Sequence, residues 1–214
     1  MVMQLAAGAG TPQEGTIARL VGSDGSLGHP YRARLMKGGA SIRDWSDLVH
    51  ALCTVLSGHP GMADLAHARA AQPAATDWLG RAALAFADER VRLARLVAAA
   101  GPLPSTPGQA ESEAALAGQR HTLGMLAGSD RAGCATGAVA ALVAEWSALS
   151  PLLDSAAARF GIVAAGGDFP PLSDAEGFAA TSGEARATAF GAQQLLAQVR
   201  GFWDLAEARA AARG

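Results

Sequence analysis

Several residue types are scarce in this chain, and each scarcity excludes something. Aromatic residues make up 5% of the 214 positions, with tyrosine only at Tyr31 and lysine only at Lys37. Half of the residues are hydrophobic, but many of these are alanine. Such a composition disfavours sheets, which draw on aromatic and β-branched side chains, and favours helices that approach closely. Charged residues are 17% of the chain and leave a formal charge of −2. The arginines are scattered and form no basic stripe, so the electrostatic footprint of a nucleic-acid binder is missing and no nucleic-acid partner is expected.

Cysteine occurs twice, at Cys53 and Cys134, without a Cys-x-x-Cys pair. Such spacing provides neither a disulfide framework nor a zinc knuckle, and the plainest reading is two small thiols in a reducing compartment. The opening MVMQLAAGAG has no charged stretch leading into a long apolar run. Nor does any window approach the roughly 18 uninterrupted apolar residues of a membrane span. A cytoplasmic protein with no membrane partner is expected.

The familiar signatures of catalysis are missing too. Gly8-Ala-Gly10 and Gly166-Gly167 lack the strand, loop and helix of a phosphate-binding turn. No serine lies in a Gly-x-Ser-x-Gly elbow, and neither cysteine has a histidine close in sequence. No cofactor is evident from motifs.

What the chain does contain is helical periodicity. Residues 1–40 hold eight glycines and the turn-rich Gly22 to Pro30 stretch, and read as an irregular N-terminal arm. From Ser41 onward the pattern becomes that of an all-α bundle domain, residues 41–214. Ser41 and Asp44 form a capping pair ahead of Ile42, Trp45, Leu48, Val49, Leu52, Val55 and Leu56, and Gly58-His-Pro60 ends that helix. A short helix follows near 61–71. A long one runs from Thr76 to Ala99, with Leu79, Ala82, Phe86, Leu93 and Leu96 on one stripe. Thr106, Pro107 and Gln109 suggest a capping box for a helix running to about Ala127. The next is expected over 131–160, kinked or restarted at Pro151. Residues 161–180 read as a long glycine- and proline-rich loop, and Thr181 with Glu184 as the capping box of a last helix. Short connections make the predicted architecture an antiparallel bundle of four to six helices.

Two constellations carry chemistry-bearing side chains. Asp47-Leu-Val-His50 and Asp64-Leu-Ala-His67 repeat a carboxylate and an imidazole three residues apart, a spacing that shares one helix face. At about 100° per residue both pairs fall opposite the apolar stripes of their helices, so Asp47, His50, Asp64 and His67 are expected at the surface. The second set is Glu89, His121 and Glu145. Glu89 continues the core stripe of its helix, where an ionised carboxylate must be paired, coordinated or protonated. His121 and Glu145 lie midway along neighbouring helices. Aligned at one height, the three would form either a buried polar network, with Arg90, Arg92, Gln119 or Arg120 neutralising Glu89, or a carboxylate–histidine metal site.

Over about residues 76–210 the pattern resembles ferritin-like bundles in architecture alone, since that family's paired Glu-x-x-His ligand motifs are missing. Such a resemblance implies an up-down bundle and carries no activity with it. The leading expectation is a non-catalytic binding module, associating with itself or with a protein partner through an exposed apolar or small-residue helix face. The competing one is a bundle that binds a metal ion or small ligand, of oxidoreductase type, with Glu89, His121 and Glu145 as metal ligands. The glycines of Gly133-Cys-Ala-Thr-Gly137 are expected to serve close helix packing.

Overall fold

The computed structural model describes residues 15–181 and 183–214, the side chains of 179–182 excepted. Among these residues there is no strand, and nine α-helices follow one another: α1 (Thr16–Asp24), α2 (Pro30–Met36), α3 (Ile42–Leu56), α4 (Met62–Arg69), α5 (Thr76–Ala100), α6 (Gln109–Ala127), α7 (Cys134–Arg159), α8 (Leu172–Thr181) and α9 (Ala185–Ala212). The all-α class expected from periodicity is the class observed.

Helix α7 is the hub. From Cys134 to Val143 every residue is buried, and each of the other eight described helices packs against α7, α9 most extensively. Burial on all faces explains why α7 is apolar enough, by length and composition, to cross a membrane: its most apolar window has a mean hydropathy of 1.3, and 78% of it is covered inside the protein. Close approach of α7 and α9 depends on glycine. A Cβ at Gly137 would overlap the Thr188 backbone, and one at Gly191 would overlap the Cys134 carbonyl. The small-residue run at the start of α7 therefore serves internal packing.

Pro151 neither breaks nor restarts α7, which is continuous from Cys134 to Arg159. Its ring nitrogen cannot donate to the Ser147 carbonyl. One residue further along, the Ala148 carbonyl accepts from the Arg32 guanidinium through Nη2 at 2.9 Å and Nε at 3.3 Å, so a side chain from α2 supports the stretch preceding the proline.

The irregular arm is corrected by the structure. Residues 1–14 lie outside the described residues, but Thr16–Asp24 and Pro30–Met36 are helical, and Ile17, Tyr31 and Leu35 enter the same core as the bundle. Tertiary contacts hold these short helices. Gly15 offers α1 no capping side chain, and Glu176 of α8 substitutes for one, its Oε1 accepting from the amides of Ile17 at 2.7 Å and Ala18 at 3.1 Å. At α2 the His29 ring accepts from the Tyr31 amide at 3.2 Å, with Pro30 in the first helical position.

Caps read from sequence fare unevenly. Ser41 and Asp44 make the expected reciprocal box. Helix α6 begins at Gln109 behind Gly108, while Thr106 is buried and accepts from Arg213 Nη1 at 3.2 Å. Thr181 ends α8, and Glu184 precedes the first residue of α9. The long 161–180 loop is likewise shorter than expected, because α8 occupies its second half.

Candidate functional site

The three residues proposed to share a centre lie in three different surroundings. Glu89 is buried, and its Oε1 accepts from the Gly167 amide at 2.9 Å while Oε2 stands 3.5 Å from Arg92 Nη1. Arg92, equally buried, donates further to Ser150 Oγ at 3.1 Å and to Asp154 Oδ1 at 2.6 Å. The glycine-rich strap between α7 and α8 is thereby fastened across α5, with Phe169 set against Phe86 and Trp146 at ring-centroid distances of 4.8 and 6.1 Å. Glycine is required in it, since a Cβ at Gly167 would overlap the Ala85 carbonyl and one at Gly166 would overlap the Glu89 carboxylate. Glu89 thus has the ion-pair partner that burial demands, on its own helix.

Glu145 is fully buried under the turn between α1 and α2. Its Oε2 accepts from the Ser26 amide at 3.0 Å and from the Ser26 hydroxyl in a short hydrogen bond, and that hydroxyl accepts from Trp203 Nε1 at 2.8 Å. Among the described residues no cation forms an ion pair with it, and none gives Oε1 a hydrogen bond. Burial pushes its pKa above the usual carboxylate range, against the lowering effect of the Ser26 hydrogen bonds and of Arg32. His121 is exposed on α6. Among the described residues, no group of three or more His, Cys, Asp or Glu is arranged to hold a metal ion.

The two Asp-x-x-His pairs divide. Asp47 is a correction: it is 2% exposed, and its carboxylate takes Arg209 Nη2 at 2.6 Å and Arg213 Nη1 at 2.8 Å. Arg213 also pairs with Asp44 at 2.8 Å, so the C-terminal turn of α9 is bolted to α3 by two acids and two arginines. Its partner His50 is half-buried and lies 2.9 Å from the Gly101 carbonyl at the end of α5. Asp64, also half-buried, accepts from the Gly61 amide at 2.8 Å to cap α4 and pairs with Arg90 at 2.9 Å. Of the four, only His67 is exposed, its Nδ1 3.1 Å from the Thr76 carbonyl.

The cavity that remains as a candidate site is an open cleft of about 450 Å³ between the end of α3, α4, α5 and α6. Val55, Leu56, Met62, Leu65, Phe86, Leu123, Met125 and Leu142 give it apolar walls, and Gly58, Pro60 and Gly61 form its lip. Arg90, Arg120 and His121 bring polarity to the same walls, and no carboxylate lines it. Arg90 is already neutralised by Asp64. Arg120 has neither hydrogen bond nor ion pair among the described residues, and its guanidinium covers Gly58 so closely that a Cβ there would overlap it. Deeper in, an apolar cavity of about 40 Å³ shares Val55, Leu56, Leu123 and Leu142 with the cleft and continues to Leu149, Leu195, Phe202 and Trp203. A volume of this order and a mostly apolar lining with a few polar groups are what small-molecule sites have in common.

Sequence reasoning singled out His121 for another purpose and missed the cleft, whose residues come from five helices with no common spacing.

Fold and cleft together define a class: an all-α bundle built round a buried central helix, with an open apolar cleft flanked by guanidinium groups. The chain belongs to the family described as a family of unknown function (DUF6975), whose model matches residues 21–214. That match takes in every helix from α2 onward and the last residues of α1. No curated protein and no solved structure matches the chain.

Proposed function

We propose that the domain is a binding module whose ligand occupies the cleft between α3, α4, α5 and α6. The observation that carries this reading is the cleft itself: about 450 Å³, walled by apolar side chains yet open to solvent. Apolar surface left in a concavity is costly unless something covers it, whereas the same side chains scattered singly over a convex surface would need no explanation. The metal-binding alternative gains no support from the separate surroundings of Glu89, His121 and Glu145.

A neutral solvatochromic dye such as Nile red tests the reading. The expected result is saturable fluorescence at one dye per chain, lost in Gly124→Trp. Gly124 lies on the cleft wall, and a Cβ there meets only Leu65 at an ordinary 3.9 Å. An indole there fills the cleft, and replacing a glycine in the last turn of α6 does not penalise the helix. Undiminished binding in that variant, or no binding by the wild type, contradicts the reading.

Self-association is a second reading, with one observation in its favour. Leu84 and Val91, seven residues apart on α5 and so on one face of it, are 71% and 54% exposed. Light scattering of the wild type and of Leu84→Glu measures it, with a dimer dissociating in the variant as the supporting result.

A further inference from the structure

Resting on the cleft as a binding site, we infer that its ligand is an amphiphilic anion, an alkyl chain carrying a single acidic head group held by Arg120. Each half of such a molecule matches a separate feature. Leu123 and Leu142 line both the cleft and the small apolar cavity beside it, and the hydrocarbon end is assigned to that side. The head remains at the mouth, where the charges are unequal. Arg90 is answered by Asp64 at 2.9 Å, His59 stands 3.5 Å from the same carboxylate, and no acid faces Arg120.

One exposed guanidinium is therefore left over, lying against Gly58 at the mouth of the cleft. A guanidinium offers a planar fork of donors that fits carboxylate and phosphate oxygens alike, and a bond between ionised partners is about twice as strong as a neutral one. A neutral ligand of the same shape would leave that fork unused. A zwitterionic head would find no carboxylate within the lining to answer its positive group.

Calorimetric titration of the full chain with decanoate, decyl phosphate and decanol separates the head from the tail. The wild type is expected to bind the two anions about tenfold more tightly than decanol, the usual gain from one hydrogen-bonded charge. Their order relative to each other distinguishes a carboxylate from a phosphate ligand. Arg120→Gln should lose the preference while keeping its affinity for decanol. Asp64→Asn, which retains an acceptor for the Gly61 amide but releases Arg90, should bind decanoate more tightly and decanol unchanged. Equal affinities for decanol and decanoate, or a preference that survives Arg120→Gln, would overturn the inference and leave the cleft reading standing. Binding of none of the three, together with no uptake of the neutral dye, would remove both.

Discussion

Three buried acidic side chains of this protein meet their burial in three ways. Glu89 has a guanidinium on its own helix, Asp47 has two from the end of α9, and Glu145 has only hydrogen bonds. The last case has a consequence for pH. Because the folded protein holds a proton on Glu145 to higher pH than the unfolded chain does, its contribution to stability falls as pH rises from below the ordinary carboxylate range through the raised value. Glu145→Gln keeps an acceptor for Ser26 and carries no charge. The melting temperature of Glu145→Gln relative to wild type is expected to improve as pH goes from 4 to 7; a relative loss over that range would contradict the neutral-carboxyl account. Tyr31 offers an independent check. Burial first, then the nearby Asp44 and Asp47, push its phenol up to about 12 from the ordinary 10.0. Since it is the single tyrosine, absorbance at the phenolate band reads it alone. An acid group with a raised pKa costs stability as pH climbs past its unfolded value, so ionisation is expected only near pH 12 or together with unfolding. A reversible midpoint near 10 in folded protein would show that Tyr31 is solvated.

At the scale of elements, the helices divide into those that announce themselves and those held by others. Helices α3, α5, α7 and α9 were legible because each carries a long apolar stripe and, for α3, a reciprocal cap. Helices α1 and α2 were not, because their residues lie among glycines with low helix propensity, and the cap of α1 comes from Glu176 in a different part of the chain. Glu176→Ala is expected to cost about 1 kcal/mol of global stability and to speed amide exchange first at Ile17 and Ala18. Unchanged exchange there would show that α1 does not depend on that carboxylate. Asp47 was misplaced for a related reason. A helical wheel marks the strongest apolar face of α3, but α9 covers a second face with arginines, and no local periodicity records a partner 162 residues away. The α7 and α9 crossing provides a packing test. Gly137→Val puts side-chain atoms into the Thr188 backbone, and an overpacked contact of this kind costs about 1 to 3 kcal/mol or more. Denaturant unfolding measures it, and a neutral result would mean that the two helices are not pinned there.

For the molecule as a whole, one apolar helix is enclosed by the rest, and the cleft between α3, α4, α5 and α6 is a place where apolar side chains stay open to solvent. Sequence alone gave access to the class and most of the core, since burial leaves a pattern of spacing in each helix. The cleft leaves none. Val55, Leu65, Arg90, Arg120 and Leu142 become neighbours only after α3 to α7 have packed, and each is an ordinary core or surface residue in its own helix. His121 was visible as a histidine among small and apolar residues, but its exposure and its place on the cleft wall depend on how α6 is rotated against α4. The central claim is that this concavity is where the protein binds. The most direct measurement is a titration of isotope-labelled protein with decanol and decanoate followed by amide chemical shifts. The account predicts saturable shifts confined to residues 55–65 at the α3–α4 turn, to Phe86–Arg90, and to Ala117–Met125. Shifts centred instead on the strap over Glu89 or on the exposed face of α5, or none at all, would contradict it.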